Sequence, residues 1–267
     1  MMEGDDKYHK LQQNLSALGS LVVAFSGGVD STFLLAAAQD VLANKVLAIT
    51  VNTPYMASWE QHEANAIAID MGIRHVVVEY PIFPNIQDNP PNRCYLCKKQ
   101  LFTALVKEAK IKGYQHIADG TNVDDYDDIR PGIQALQELG VRSPLAESGL
   151  GKEDIRAYSR KMGLPTWNKP SYACLLSRLP FHTPVRADIL NRIEQAEHLL
   201  RDIGFPDSRV RTHQDIARIE VPHNQLQKFI QKSSETALTR KLKKLGYRFV
   251  TLDLEGYKMG SFNNKNV

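Results

Sequence analysis

Short apolar runs alternate with longer stretches whose apolar positions recur at helical spacing, and this alternation organises the first two thirds of the chain. Leu21-Val22-Val23-Ala24-Phe25, Val46-Leu47-Ala48-Ile49-Thr50-Val51 and His75-Val76-Val77-Val78-Glu79-Tyr80 read as buried strands, with His116-Ile117-Ala118-Asp119 as a fourth. A helix is predicted from about Asp6 to Leu18 on the spacing of Leu11, Leu15 and Leu18, and another through Phe33-Leu34-Leu35-Ala36-Ala37-Ala38. Ser58 caps a third that runs to about Met71, with Gly72 beyond its end. Tyr95 to Lys112 carries Leu101, Leu105 and Ala109 on one face, and Lys152 to Met162 reads as a further helix. Repeated strand–helix–strand units predict an α/β fold, a parallel sheet with helices on both faces. Ligands of such sheets gather at the carboxyl ends of the strands, where the strand order reverses.

The pattern changes between Pro180 and Pro184. An amphipathic helix is predicted over Arg186 to Asp202, strands over Ser208 to Thr212 and Ile216 to Val221, helices near Gln225 to Gln231 and Glu235 to Leu245, and a strand over Arg248 to Leu252. This is a smaller α+β unit, so the expected domains are residues 1–180 and 181–267. Pro81 to Asn92 is a proline-rich break without periodicity.

Composition adds limits. With 43% hydrophobic and 24% charged residues the chain is an ordinary globular protein, and its net charge of +3 does not announce nucleic acid. Met1 to Lys10 is polar and reads as no signal peptide, and no apolar run reaches the length of a membrane span. Three cysteines form no disulfide framework, which points to a reducing cytoplasm.

The first strand delivers the chain to Ser26-Gly27-Gly28-Val29-Asp30-Ser31-Thr32, a strand-to-helix turn. Its glycines let backbone approach a ligand, its hydroxyls add donors, and the helix start offers free N–H groups and a positive dipole end to phosphate. No lysine follows in the Walker A position, and the dinucleotide fingerprint is absent too. Ser-Gly-Gly-x-Asp-Ser resembles instead the pyrophosphate loop of the ATP pyrophosphatases, the PP-loop, which split ATP into AMP and pyrophosphate. Asp30 fits that chemistry as a carboxylate that helps hold Mg²⁺ beside phosphates. The plainer alternative is a glycine turn with ordinary caps.

Cys94 and Cys97 form a Cys-x-x-Cys pair at a helix start, and Cys174 lies in the loop leaving the first domain. Four readings compete: a dithiol redox pair favoured by the helix N-terminus, a zinc site completed by His116 or another donor, buried inert thiols, and a four-iron cluster with one iron left open by the missing fourth thiolate.

Taken together, the PP-loop, Asp119-Gly120-Thr121-Asn122, Arg130-Pro131-Gly132, Trp167-Asn168-Lys169-Pro170, Ala173-Cys174-Leu175-Leu176-Ser177-Arg178 and Asp215-Ile216-Ala217-Arg218-Ile219-Glu220 resemble the LarE family over nearly the whole chain. The resemblance implies a PP-loop, adenine nucleotide alpha hydrolase-like domain with a smaller α+β C-terminal domain for substrate and oligomer contacts. It implies an ATP-dependent sulfur transferase that adenylates a carboxylate of pyridinium-3,5-biscarboxylic acid mononucleotide and replaces AMP with sulfur, in nickel-pincer cofactor biosynthesis. One branch of the family sacrifices a cysteine sulfur. Another, which this chain is similar to, carries three cysteines that bind a [4Fe-4S] cluster, so Cys94, Cys97 and Cys174 take the cluster-ligand role rather than the sacrificial one.

On the same ground ATP is assigned to Ser26, Gly27, Gly28, Asp30, Ser31, Thr32, Asp119, Gly120 and Thr121, catalysis to Asp30, Lys98 and Arg178, and the nucleotide substrate to Ser177, Arg178, Arg209 and Arg211. Arg209 and Arg211 share one strand face, and arginine's planar fork suits phosphate and carboxylate; a solvated basic strand edge is the alternative. Glu197 and Glu220 fit either interface ion pairs or a metal site. The implied partners are a small nucleotide, a sulfide source and further copies of the chain, with no membrane. A tRNA thiolation enzyme with a cluster is the second reading, and a non-catalytic adenine-nucleotide sensor the third.

Overall fold

The computed structural model describes residues 3–126 and 131–258, so Arg130 of the Arg-Pro-Gly motif lies outside the described residues. The chain forms two compact units, one of Met1–Ile86 with Asn92–Tyr172, the other of Gln87–Pro91 with Ala173–Val267.

In the first unit β1 (Leu21–Ala24) lies between β2 (Val46–Asn52) and β4 (Ile117–Ala118), and β3 (His75–Glu79) flanks β2. The order β3-β2-β1-β4 is parallel throughout. Adjacent residues of a strand face opposite sides, and here both sides are covered, which is why the runs are continuously apolar. Val22, Leu47 and Ile49 pack against Phe102, Leu105 and Ala109 of α4 (Arg93–Ile111) and Leu136 of α5 (Pro131–Glu138). Val23 and Ala48 face a second core with Leu11 and Leu15 of α1 (Glu3–Leu18), Phe33, Leu34 and Leu35 of α2 (Val29–Leu42), Ala64 and Ala68 of α3 (Ser58–Asp70), Leu145 of α6 (Pro144–Glu147) and Ile155 of α7 (Lys152–Lys161). Each such buried Val, Leu, Ile or Phe side chain contributes roughly 1.5–3 kcal/mol.

Elements of the first unit differ from the sequence-based expectation, among them the four-residue α6, where the hydrophobic pattern predicts no helix. β4 spans two residues rather than four; on its edge away from β1 it meets a single parallel bridge, Asp119 N–H donating to the Arg142 carbonyl at 3.0 Å and Arg142 N–H to the Ile117 carbonyl at 2.9 Å. α5 carries no assigned element in the hydrophobic pattern, since two helical turns are too short to show a period; Pro131 at its first position supplies a pre-set φ.

The second unit has its own core, in which Leu200, Phe205, Val210, Ile219, Phe229 and Tyr247 are buried together. Helix α8 (Ala187–Asp202) precedes β5 (Arg209–His213) and β6 (Ile216–Glu220), which pair antiparallel; α9 (Leu226–Glu235), α10 (Leu238–Lys244) and β7 (Phe249–Leu252), parallel to β6, complete it. Ala237 adopts a left-handed backbone, φ 51°, and separates two helices where the pattern predicts the second to begin at Glu235. Residues 87–91 form a strap in this unit. The buried Asn89 side chain donates to the carbonyls of Leu176, Leu179 and Pro180, while the main-chain N–H groups of His182 and Val185 donate to Asn89 and Gln87.

Candidate active site

The strand order reverses between β1 and β4, with β2 and β3 on one side of β1 and β4 on the other. The loop after β1 therefore opens at a switch point, where α/β sheets bind ligands. Gly27 is left-handed, φ +66°, and a Cβ there would stand 2.9 Å from the Ala64 Cα of α3, so two constraints demand glycine. Inside the loop the Ser31 hydroxyl takes the Ser26 N–H at 3.3 Å and lies 3.1 Å from the Ser26 hydroxyl, while Gly28 N–H donates to Ser26 Oγ at 3.4 Å. Gly28 is the N-cap of α2, and Asp30 sits in its first turn. Thr32 is fully buried beneath the loop.

The second loop, after β4, meets the first. A Cβ on Gly120 would lie 3.0 Å from Ser31 N and 3.2 Å from Asp30 Cβ, so a larger residue would have to push the two loops apart. Asn122 Nδ2 donates to Asp30 Oδ1 at 3.4 Å. Asp119 is buried and acts as an anchor: Thr121 Oγ1 and Ser143 Oγ both donate to its carboxylate, at 2.5 and 2.7 Å, and Lys98 Nζ stands 4.0 Å away. Lys98 reaches this place across Gly132, where a Cβ would meet its Cδ at 2.6 Å. The structure thus brings Ser26, Gly27, Gly28, Asp30, Ser31, Asp119, Gly120, Thr121 and Lys98 into one neighbourhood of the first unit.

Residues outside the sequence-based set also belong here. Lys169 Nζ donates to the Gly27 carbonyl at 2.9 Å and to Glu63 at 2.7 Å, and Arg156 holds that segment by donating to the carbonyls of Trp167 and Lys169. Lys152, first residue of α7, donates to Asp30 Oδ2. The signal was present as Gly149-Leu150-Gly151-Lys152 ahead of a helix, a small-residue turn ending in a cation.

Cys94 and Cys97 occupy the first turns of α4, three residues apart and so on one face, and the buried Tyr55 hydroxyl lies 3.3 Å from Cys97 Sγ. Cys94 is exposed and the other two cysteines half-buried. His116 follows the far end of the 19-residue α4, so about 25 Å of helix separates it from the pair, and the zinc site completed by His116 is ruled out. Among the described residues no three His, Cys, Asp or Glu side chains gather closely enough to hold a metal ion.

In the second unit Cys174 precedes a single 3₁₀ turn, Leu175–Arg178. Its carbonyl accepts from Ser177 N, Ser177 Oγ and Arg178 Nη1 at 3.1, 2.9 and 3.2 Å, which fixes the backbone beside the thiol. Arg178 is buried and bidentate on Glu197 of α8, at 2.8 and 3.0 Å. Arg211 is bidentate on Glu220 Oε2 at 3.0 and 2.8 Å and donates to the Ser177 carbonyl at 2.6 Å; Arg218 takes Glu220 Oε1. Arg209 is buried with its guanidinium over the Tyr257 ring. The register pairs Arg209 with Glu220 and Arg211 with Arg218, so all four share one sheet face. Arg209 and Arg211 are therefore covered rather than a solvated strand edge, and Glu197 and Glu220 are partners of arginines within the unit.

Comparison with known proteins gives three relatives over nearly the full length. A pyridinium-3,5-bisthiocarboxylic acid mononucleotide synthase of Lactiplantibacillus plantarum is 37% identical over 94% of this chain and 91% of its own. A Synechocystis protein without assigned function is 42% identical over 97% of both chains. A Methanocaldococcus jannaschii protein, equally unassigned, is 32% identical over 94% of this chain and 97% of its own. The family described as queuosine biosynthesis protein QueC matches residues 20–93, which carry β1 to β3 and the glycine loop.

Proposed function

The chain belongs to the LarE family of ATP-dependent sulfur transferases, and from that premise we propose that it adenylates a carboxylate of pyridinium-3,5-biscarboxylic acid mononucleotide and replaces AMP with sulfur, in nickel-pincer cofactor biosynthesis. The observation that carries this reading is the meeting of the glycine loop with the Asp119–Asn122 loop at the switch point, in a chain 37% identical to a named synthase of the bisthiocarboxylic product.

A carboxylate is a poor acyl donor because oxide is a poor leaving group. Attack of a carboxylate oxygen on the α-phosphorus of ATP releases pyrophosphate and leaves an acyl adenylate; sulfur then adds to the carbonyl carbon and AMP departs. The loop and the first turn of α2 seat the phosphates with N–H groups and the helix dipole. Asp30 would supply a carboxylate for Mg²⁺, whose charge would offset that of the leaving pyrophosphate. Lys98, held over Gly132, presents an ammonium beside the second loop. In the second unit Arg209 and Arg211 are buried, Arg211 being held by Glu220, so Arg218, 38% exposed, is the cation of that face open to the phosphate and carboxylates of the substrate. Arg178 acts there as a positioning residue, since its guanidinium is spent on Glu197 and on the carbonyls next to Cys174.

Cys94, Cys97 and Cys174 would hold the [4Fe-4S] cluster. The fit rests on two thiolate donors on one helix turn, with a hydroxyl on the Cys97 sulfur, and on the softness of thiolate toward iron–sulfur centres; Cys174 joins them on the family resemblance. When bound, the cluster offers an iron without a protein ligand as a carrier for sulfide. The reading includes a homo-oligomer joined through the second unit and a reducing cytoplasm; among the described residues no helix is long and apolar enough to cross a membrane.

The test follows nucleotide products and the thiocarboxylate in anaerobically reconstituted protein. AMP and pyrophosphate in the presence of the acceptor, lost in Asp30→Ala, are expected, with loss of thiocarboxylate but not of ATP binding in each cysteine-to-alanine variant. ADP in place of AMP would remove the PP-loop assignment. One zinc per chain with sulfur transfer intact would remove the cluster. A thiolated tRNA base as product would turn the assignment to tRNA.

A further inference from the structure

We propose that Tyr55 is a positioning residue for the sulfur chemistry, donating its hydroxyl to the Cys97 thiolate when that sulfur ligates iron; the inference rests on the cluster reading above. Three observations carry it. First, Tyr55 Oη lies 3.3 Å from Cys97 Sγ, and the tyrosine is only 2% exposed, so bulk water does not compete for this contact. Second, the tyrosine is held by its backbone. The Met56 N–H donates to the Thr53 carbonyl at 3.0 Å, which closes a turn directly after β2, and Pro54 pre-sets φ at the second position of that turn. Tyr55 thus reaches α4 from the carboxyl end of β2, the ligand side of the sheet. Third, the two thiols of the pair differ. Cys94 is exposed, whereas Cys97 is half-buried one turn further along α4 and heads the row that continues through Leu101 to the buried Leu105.

The direction of the bond follows from the protons. Between a neutral hydroxyl and a neutral thiol either atom can donate. A thiolate carries no proton, so with iron on Cys97 the hydroxyl is the donor. The bond is then charge-assisted and stronger than the neutral contact. It holds the Cys97 sulfur in one orientation, and it draws electron density from that sulfur. Hydrogen bonds to ligand sulfurs help set the potential of an iron–sulfur centre. The reduced form carries one more negative charge and gains more from a donor, so the Tyr55 hydroxyl raises the potential. The pair therefore offers one braced thiolate inside the unit and one exposed to solvent.

The experiment compares the full chain, Tyr55→Phe and Tyr95→Phe after anaerobic reconstitution with iron and sulfide. Iron per chain, a reductive titration followed by electron paramagnetic resonance, and thermal unfolding are recorded for each. Tyr55→Phe removes one hydroxyl and keeps the ring. It is expected to lower the midpoint potential, shifting the reduction equilibrium about three- to tenfold against the reduced form. Tyr95 lies on α4 between the two cysteines, but its hydroxyl donates to Glu138 at 2.9 Å, so Tyr95→Phe is expected to leave the potential unchanged. A Tyr55→Phe protein that unfolds like the wild type yet loads less iron also supports the proposal. An unchanged potential at full loading overturns it, and so does an equal shift in Tyr95→Phe. A lower unfolding temperature with the potential unchanged makes Tyr55 a packing residue and overturns it too. Wild-type protein that takes up no iron would remove the cluster reading and this inference with it.

Discussion

At the scale of single residues, glycine carries more of the candidate site than any charged group. Gly120 is the sharpest case, because a methyl there would press on Ser31 N at 3.0 Å and on Asp30 Cβ at 3.2 Å, main-chain and near-main-chain atoms that cannot swing aside. Gly120→Ala is expected to leave the fold intact and to weaken ATP binding at least about tenfold by parting the two loops; calorimetry showing wild-type affinity would separate Gly120 from the nucleotide. Gly132→Ala is the gentler companion, since it meets the flexible Lys98 stem at 2.6 Å; it should lower turnover while ATP affinity holds, which steady-state kinetics can read. The glycines of the first loop were legible as a motif. The demand on Gly120 and Gly132 was not, because it comes from partners 89 to 90 and 34 residues away in sequence, and no local pattern encodes such an approach.

At the scale of elements, parallel strands were easy to read because both their faces are buried, and α5 was hidden because two turns show no period. What binds neighbouring elements together was less visible. His75 on β3 lies with Nε2 2.8 Å from the Thr50 hydroxyl of β2, which itself donates to the Phe25 carbonyl at the mouth of the loop. Burial holds the His75 imidazole below its usual proton affinity, so the folded form keeps it neutral while the unfolded chain takes up a proton on acidification. Its stabilisation is complete above the ordinary imidazole range and is lost as pH falls through the depressed one. The urea midpoint of the first unit should drop between about pH 7 and pH 5, less steeply in His75→Gln. Both tryptophans, Trp59 and Trp167, lie in that unit and report it. Equal slopes for the two proteins would exclude His75 as the source. In the second unit the Arg211–Glu220 pair has side chains 5% and 4% exposed. Glu220→Leu leaves buried guanidinium charge uncompensated and is expected to destabilise the unit by about 3–5 kcal/mol. Hydrogen exchange of the β5 and β6 amides measures it, and a loss under about 1 kcal/mol would show the arginines to be satisfied elsewhere.

At the scale of the whole molecule, composition and pattern foretold an α/β unit followed by a smaller α+β unit. The strap at residues 87–91 was not foretold. It has no period, and only its Asn-Pro-Pro stretch marks it as irregular; its structural role depends on carbonyls far downstream. A fragment beginning at Ala173 would lack Asn89 and leave the Leu176, Leu179 and Pro180 carbonyls without that donor. It should unfold at lower urea than the same unit in the full chain, and a synthetic peptide covering residues 85–92 should restore part of the difference; a fragment as stable as the parent would make the strap dispensable. The same strap sets a timetable for birth on the ribosome. Asn89 leaves the exit tunnel 87 to 91 residues ahead of the carbonyls it serves, a delay of about five to twenty seconds at ordinary elongation rates. The first unit's last strand and helices are made within that interval, so the nascent chain must complete much of one unit while holding aside a piece of the next.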